Sequence, residues 1–192
     1  MYMNSVFVVS SSEKGVKILC SLVKEAVSVW EIQTASTANQ AREYLEEHDC
    51  DLTVIDSPLS DEAGFSLACE TAEKTNSACI VIARQDADAN VLVKLEEKGI
   101  AVISKPINKE YFFRTVRVVN SLRKRYLGIY EENERLQDEL ETVRLANRAK
   151  CALIQYLRMT EKQAHRYLEK QAMDMRMTIK DTALQIIKTY ET

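Results

Sequence analysis

Residues 51–83 read DLTVIDSPLSDEAGFSLACETAEKTNSACIVIA and contain the pattern that decides the fold. Two short apolar runs, Leu52–Ile55 and Ala78–Ala83, flank a stretch, Glu62–Lys74, in which apolar residues recur at helical spacing. Because parallel neighbours cannot be joined by a tight turn, a strand, an amphipathic helix and a second strand in this order predict a parallel crossover unit.

The same alternation extends over residues 5–118. The other predicted strands are Ser5–Val9, Val29–Thr34 and Ile100–Ser104, and the other predicted helices are Glu13–Val27, Thr37–His48, Asp88–Lys98 and one from Asn108 onward. Five strands that alternate with five helices predict an α/β fold with a doubly wound, five-stranded parallel sheet. Its functional crevice should lie at the carboxyl ends of the strands, which carry Ser10-Ser11-Ser12, Asp56, Ala83 and Lys105-Pro106.

The charge of the chain is distributed unevenly. Residues 1–118 contain twelve basic and eighteen acidic residues, whereas residues 144–192 contain ten basic and five acidic residues. This asymmetry suggests a polyanionic partner for the C-terminal end, although a solvated helical bundle with surplus lysine explains the charge alone at least as well.

Cysteine and histidine usage excludes some classes of site. The five cysteines are scattered without CxxC spacing, and His48 and His165 are far apart, so neither a disulfide framework nor a zinc site is expected. The sequence also shows no signal peptide and no apolar stretch of transmembrane length. We therefore expect a cytoplasmic protein that makes no membrane contact.

Residues 4–118 resemble the receiver domain of response regulators. Asp56 closes the third strand, Gly64 follows eight residues later, and Lys105-Pro106 closes the fifth strand. The resemblance implies that Asp56 is the phosphoacceptor and that Lys105 contacts the phosphoryl group.

The predicted pocket departs from the family pattern. Ser10-Ser11 stand where receivers have the acidic pair that holds Mg²⁺, and Ala83 replaces the usual Thr or Ser. Mg²⁺ needs oxygen ligands, preferably charged ones, so binding of this cofactor is not expected. We favour a degenerate receiver in which Lys105 pairs with Asp56; a working phosphoacceptor at Asp56 is the alternative.

A heptad pattern follows the receiver-like segment. The a and d positions, called the seam below, are Leu122, Tyr126, Ile129, Asn133, Leu136, Leu140, Val143 and Asn147. Apolar residues at a and d predict a coiled coil, and Asn at a favours a parallel pair in fixed register. An amphipathic helix packed on its own domain would explain the apolar spacing but not the two asparagines, so we expect a homodimer.

Three amphipathic helices are predicted from Arg148 onward. Thr160-Glu161-Lys162-Gln163 is a capping box that begins the second helix, and Thr178 can cap the third. This segment resembles an ANTAR domain, the RNA-binding module of transcription antitermination regulators, over about Arg148–Ile187. The resemblance rests on Ala149-Lys150, Met159-Thr160-Glu161…Ala164, Leu168…Gln171-Ala172-Met173-Asp174 and Arg176-Met177-Thr178-Ile179…Thr182-Ala183; Cys151 replaces the usual Gly.

The ANTAR resemblance implies binding to two small hairpins in a nascent leader transcript. The candidate RNA contacts are Arg148, Lys150, Arg166, Lys170, Arg176 and Lys180, and Tyr156 or Tyr167 could stack on a base.

The predicted domains are residues 1–118, 119–147 and 148–192. We interpret the chain as a dimeric antitermination regulator that is signalled by a sensor kinase or a ligand-sensing protein. The alternatives are a DNA-binding or protein-binding response regulator phosphorylated at Asp56, and, less favoured, an enzyme for a small phosphorylated substrate.

Overall fold

A computed structural model describes residues 2–190. The strands are β1 (Tyr2–Val9), β2 (Ser28–Ala35), β3 (Leu52–Asp56), β4 (Ala78–Ala83) and β5 (Ala101–Ser104). The helices are α1 (Glu13–Ala26), α2 (Ala38–Glu47), α3 (Phe65–Lys74), α4 (Ala89–Glu97), α5 (Lys109–Leu157), α6 (Glu161–Met175) and α7 (Ile179–Tyr190).

The five strands form one parallel sheet in the order β2-β1-β3-β4-β5. The order reverses between β1 and β3, so the carboxyl ends of these strands border the crevice expected of a doubly wound sheet. The α/β fold class predicted from the sequence is confirmed.

Every predicted strand is present, with ends shifted by a few residues at most. The clearest error concerns α3, which begins at Phe65 rather than at Glu62. Gly64, with φ of +82°, adopts the left-handed conformation and stands as the N-cap. The chain around Glu62 is therefore a loop, and the Glu62 carboxylate accepts a hydrogen bond from the Leu67 backbone N–H.

Apolar side chains fill both faces of the sheet. One cluster includes Phe7, Ile55 and Leu67 on the side of α2 and α3, and the other includes Val8, Leu19 and Phe112 on the side of α1 and α5. The central strands β3 and β4 are buried almost throughout, as expected for parallel strands covered by helices on both faces.

The chain divides into two compact units, Met1–Leu127 and Gly128–Thr192, and α5 contains residues of both. In the C-terminal unit, the core of a three-helix bundle includes Leu153 from α5, Leu168 from α6 and Ile186 from α7. The predicted capping box is present: Thr160 Oγ1 accepts from the Gln163 N–H, and Gln163 Oε1 accepts from the Thr160 N–H.

Within residues 2–190, no helix combines the length and the apolar character needed to cross a membrane.

Candidate functional site

The Asp56 pocket lies at the carboxyl ends of β1, β3 and β5 and consists of Ser10, Gly15, Asp56, Ser57 and Lys105. Asp56 Oδ1 lies 2.6 Å from Lys105 Nζ, and Asp56 Oδ2 accepts a hydrogen bond of 2.7 Å from Ser10 Oγ. Lys105 Nζ also donates to the Ser57 carbonyl oxygen at 2.6 Å. Both carboxylate oxygens thus have partners from the same chain.

Helix α1 closes the pocket from one side. A Cβ added at Gly15, in the first turn of α1, would lie 2.5 Å from Ser10 Oγ and 2.7 Å from Asp56 Oδ2. Real Cβ atoms essentially never come this close to another heavy atom, so only glycine fits position 15 without a local shift. The Asp56 side chain retains 16% exposure, which leaves a narrow opening to solvent.

Ser11 joins the loops around the pocket. Its hydroxyl donates to the Ser36 carbonyl oxygen at 3.0 Å and accepts from the Ser60 N–H at 2.6 Å. The β1–α1 loop is therefore tied to the loops that follow β2 and β3. In this structure the two serines at the position of the acidic pair satisfy neighbouring polar groups.

The side chains of the Asp56 pocket do not fit Mg²⁺. The only carboxylate among them is already paired with an ammonium group, and the neighbouring hydroxyl is neutral. Six-coordinate Mg²⁺ favours charged oxygen ligands. Across residues 2–190, no three His, Cys, Asp or Glu side chains are grouped so that they could hold a metal ion.

Two further charged clusters in the N-terminal unit were missed by the sequence analysis. Arg42 on α2 pairs with Glu62 at 2.7 Å and with Glu70 at 2.9 Å, and its hydrogen bond lowers the pKa of the Glu70 carboxyl. Arg123 on α5 pairs with Asp51 at 2.8 Å, with only 15% and 16% of the two side chains exposed. These pairs connect residues far apart in sequence, so no local pattern indicates them.

The seam lies at the surface of a single chain. Its six apolar members, Leu122, Tyr126, Ile129, Leu136, Leu140 and Val143, are 51–59% exposed. Asn133 and Asn147 are exposed as well. Such a long row of exposed apolar side chains disfavours the alternative in which this face of the helix packs against its own domain.

The bundle uses the face of α5 opposite to the seam. Lys180 on α7 lies 2.6 Å from Asp138 and 2.6 Å from Glu141, which occupy the f and b positions of the heptad. The two carboxylates raise the pKa of the Lys180 ammonium, the hydrogen bond to Asp138 contributing most. The contacts of α7 therefore leave the seam uncovered.

The six candidate RNA contacts fall into two groups. Lys150 is held 3.0 Å from Glu161 with 18% of its side chain exposed, and Lys180 is held by Asp138 and Glu141. Arg166, Lys170, Arg176 and Arg148 are exposed. Among the described residues, the side chains of Arg166, Lys170 and Arg176 contact no acidic partner, so they are the ones open to an anion.

Arg166 and Lys170 lie with Lys162 on one side of α6, which we call the outer face of α6. Ala164, Leu168 and Ala172 are buried on the other side of the helix. Arg166 and Lys170 are each two residues from Leu168, which places them about 200° around a helix of 3.6 residues per turn. Arg176 follows as the C-cap in the left-handed conformation, with φ of 54°.

The two candidate stacking tyrosines differ in exposure. Tyr156 is 52% exposed, and its ring stacks on Tyr190 with centroids 5.9 Å apart. Tyr167 is partly buried against the core of the bundle. Tyr156 therefore offers more of its ring to a base than Tyr167.

Two family matches cover most of the chain. Residues 6–117 match the response regulator receiver domain, and residues 134–187 match the ANTAR domain. The chain belongs to the response regulator receiver family, and an ANTAR domain follows its receiver domain.

A curated relative covers both domains. The transcriptional regulatory protein PdtaR of Mycobacterium tuberculosis strain CDC 1551 is 28% identical over 159 residues, which span 82% of this chain and 77% of PdtaR.

Solved structures support the receiver fold. The signal receiver domain of an HD domain-containing protein from Pseudomonas fluorescens Pf-5 matches with a TM-score of 0.56 and 20% identity, over 69% of this chain and 93% of that one. The beryllofluoride-activated NtrC4 receiver domain dimer matches with a TM-score of 0.53 and 23% identity, over 62% and 98% of the two chains.

Proposed function

We propose that this response regulator is a cytoplasmic transcription antitermination factor. Two copies pair along the seam, and each ANTAR bundle binds one hairpin of a nascent leader RNA. Bound hairpins hold the transcript in a form that excludes the terminator. The receiver and ANTAR matches, together with the similarity to PdtaR, support the broader class of transcription regulator.

The observation that carries the RNA proposal is the exposed cationic group formed by Arg166, Lys170 and Arg176. These side chains lie on a small helical bundle with a complete apolar core and two N-terminal caps, so their presentation does not depend on a disordered tail. Phosphates bind to such cations through counterion release, whereas base contacts provide sequence choice.

The exposed seam supports dimerisation. Two bundles joined by one coiled coil bind two tethered hairpins with a higher effective concentration than separate bundles would have. Asn133 and Asn147 at a positions fix the register and favour a parallel pair, which places both bundles at the same end.

The Asp56 pocket supports a receiver that responds to a protein rather than to a phosphoryl group. Lys105 and Ser10 already satisfy the Asp56 carboxylate, and the pocket lacks a second carboxylate. The input therefore comes from a partner protein that binds the receiver surface, either a ligand-sensing protein or a sensor kinase that acts by contact and not by phosphoryl transfer.

Electrophoretic retardation with a two-hairpin RNA tests this function. The full chain should retard the two-hairpin RNA more strongly than either single hairpin or a DNA duplex of equal length. Replacing Arg166, Lys170 and Arg176 with Gln should weaken binding and reduce the slope of log K against log salt by about 2, at about 0.7 per lost phosphate contact.

A matched control removes the same charge elsewhere. Lys14, Lys17 and Lys94 are exposed lysines of the N-terminal unit, and their replacement with Gln should leave the salt slope unchanged. Equal losses in the two triple variants would show that net charge alone matters. Preference for the DNA duplex, or no retardation at low salt, would contradict the proposed function.

A further inference from the structure

Strand β2 forms an unprotected edge of the sheet. Among residues 2–190 it pairs only with β1, and it is eight residues long, whereas the opposite edge strand, β5, has four residues. Proteins usually protect such an edge with a short strand, a proline or lysine side chains. None of these is present in β2, whose only charged residue is Glu31.

The pairing of β2 with β1 shows which backbone groups of β2 face outward. The Ser10 N–H donates to the Ala35 carbonyl oxygen at 3.0 Å, so the backbone of Ala35 points toward β1. The register with β1 is unbroken from Glu31 to Ala35. Because the backbone groups of successive strand residues point to opposite sides, the N–H and C=O of Ile32 and Thr34 point away from β1. They are free to pair with an added strand.

Trp30, the only tryptophan of the chain, lies on this edge strand. It is 92% exposed, more than any other large apolar residue that the structure describes. A single exposed apolar side chain is common on protein surfaces. An exposed indole on an open strand edge is a stronger signal, because tryptophan is enriched where proteins meet and gains free energy when a partner covers it.

A groove lies beside this edge, between β2 and α2, with a volume of 620 Å³. Thr34 and Ala35 line it on the side of the strand. Tyr44 and His48 line it on the side of the helix, and their rings are stacked with centroids 4.4 Å apart. The groove therefore offers space for side chains of a strand that is added outside β2.

Three glutamates of α2 determine the charge of this groove. Glu43, Glu46 and Glu47 line it and are exposed, and within residues 2–190 none of them pairs with a cation. Arg42, the only cation of α2, pairs with Glu70 instead. The described acidic side chains are not grouped so that they could hold a metal ion. The charge favours a cationic partner and disfavours both RNA and a second copy, which would bring its own glutamates.

We propose that β2 and the groove beside it form a docking surface for an extended, cationic segment of a partner protein, which joins the sheet as a strand outside β2. Its backbone pairs with Ile32 and Thr34, its alternate lysine or arginine side chains lie over the glutamates of α2, and an apolar side chain covers Trp30. This inference rests on the partner input of the proposed function, and it names the surface and the chemistry of that partner.

The fluorescence of Trp30 tests docking in the full chain, because no other indole contributes. The probe is an octapeptide of alternating Lys and Val, which matches the length of β2 and contains no tryptophan. One control peptide replaces Lys with Glu. The other replaces Val with Pro, which keeps the positive charge but prevents strand pairing. The Lys–Val peptide should shift the Trp30 emission to shorter wavelength and bind at least about tenfold more tightly than either control.

Two pairs of variants separate backbone pairing from charge. Thr34→Pro removes an outward N–H and should weaken binding of the Lys–Val peptide about fivefold, whereas Thr34→Val keeps this N–H and should bind as the natural chain does. Glu43→Gln with Glu47→Gln should also weaken binding about fivefold. Glu96→Gln with Glu97→Gln, at exposed positions of α4, should leave it unchanged. Circular dichroism checks that each variant is folded.

Three outcomes would overturn the docking surface. The first is an unaltered Trp30 emission at about 1 mM Lys–Val peptide, or equal binding of a control peptide. The second is an emission shift that follows protein concentration without peptide and is lost in Thr34→Pro, which would make a second copy the occupant. The third is a shift produced by RNA.

RNA retardation distinguishes this inference from the proposed function. The Thr34 and Glu43/Glu47 variants should retard the two-hairpin RNA as the natural chain does. If the natural chain binds the Lys–Val peptide but fails to retard RNA, the antitermination function is wrong and the docking surface stands. If RNA is retarded while the peptide fails to bind, only the docking surface is wrong.

Discussion

The N-terminal and C-terminal units differ in whether the side chains of their candidate sites are paired within the chain or exposed to solvent. In the Asp56 pocket, a carboxylate, an ammonium group and a hydroxyl satisfy one another. In the C-terminal unit, the seam residues from Ile129 onward and the cations at Arg166, Lys170 and Arg176 are exposed. A ligand of the closed pocket must displace internal partners, so its net free energy of binding is small. Each contact with an exposed apolar row or an exposed cationic face adds favourable binding free energy.

This contrast supports the proposal that the C-terminal unit recognises RNA. It also suggests that the receiver contributes shape and a partner surface rather than chemistry. The following variants test the contrast between a closed unit and an open one.

The largest expected effect concerns the open seam. Leu136→Asp and Leu140→Asp together should raise the dimer dissociation constant by about a thousandfold, because a coiled coil cannot bury four charges at a and d positions. Sedimentation across a concentration series measures the change. Glu131→Gln and Glu134→Gln, off the seam, should leave dimerisation unaltered; an unchanged dimer in the Leu variants would refute the seam.

The next effect concerns the closed N-terminal unit. Arg123→Met should lower the free energy of unfolding by about 3 kcal/mol, because it leaves the Asp51 carboxylate largely buried without its cation. Chemical denaturation monitored by circular dichroism measures the loss. Arg125→Met provides the control at an exposed position on the same helix. A loss of unfolding free energy no larger than that of Arg125→Met would show that water solvates the Asp51 carboxylate in place of the guanidinium.

The closed pocket should open to a metal ion when its acidic pair is restored. Ser10→Asp with Ser11→Asp should bind Mg²⁺ at least about tenfold more tightly than the natural chain, since it adds charged oxygen ligands beside Asp56. Titration calorimetry measures the affinity, with Ser121→Asp as the control. Stoichiometric phosphorylation of Asp56 in the unaltered chain by acetyl phosphate and Mg²⁺ would overturn the degenerate receiver.

The bundle that presents the open cations should depend on its capping box. Thr160→Ala should lower the stability of the C-terminal unit by about 1 kcal/mol, because the Gln163 N–H loses its acceptor. Thermal unfolding followed by circular dichroism tests this, with Lys162→Ala as the control in the first turn of the same helix. Equal stability of the two variants would contradict the role of the cap.

The smallest effect is a pH dependence in the N-terminal unit. Arg42 lowers the pKa of Glu70, so the folded state keeps this carboxyl ionised more readily than the unfolded chain. The contribution is fully present above the ordinary pKa of Glu, near 4.3, and is lost as the pH falls through the lowered folded value. Arg42→Met should remove less than about 1 kcal/mol, since these side chains are partly exposed. Denaturation at pH 7 and at pH 3 measures the difference, which should be smaller at the lower pH.

Local patterns in the sequence predicted the sheet well. Apolar runs such as Ala78–Ala83 have the length and flanks of buried strands, and the observed strand has the same bounds. The start of α3 was wrong because the spacing of apolar residues continues into the loop before Gly64. Because Gly64 adopts the left-handed conformation, the helix cannot extend through it toward Glu62 and begins only at Phe65.

Long-range partners in the sites could not be predicted in the same way. The exception is the pairing of Lys105 with Asp56, which was predicted from their positions at the carboxyl ends of two strands and from the receiver resemblance, and which the structure contains. The contact between Ser10 and Asp56 depends on a rotamer, and the clamp on Lys180 joins residues about forty positions apart. The six candidate RNA contacts could be listed from the sequence as basic residues, but only the structure separates the exposed side chains from the paired ones.

The contacts of Lys180 with Asp138 and Glu141 would set the distance between the two bundles of the proposed dimer. Because α7 is fastened to the outer side of the coiled-coil helix, the bundle follows the geometry of the coil instead of swinging on a tether. The axes of two packed helices are about 8–10 Å apart, so the two bundles would be held at a short, set separation. Transcripts would then be selected by the spacing between their hairpins, and lengthening that spacer by a few nucleotides should weaken binding even when both hairpin sequences are intact.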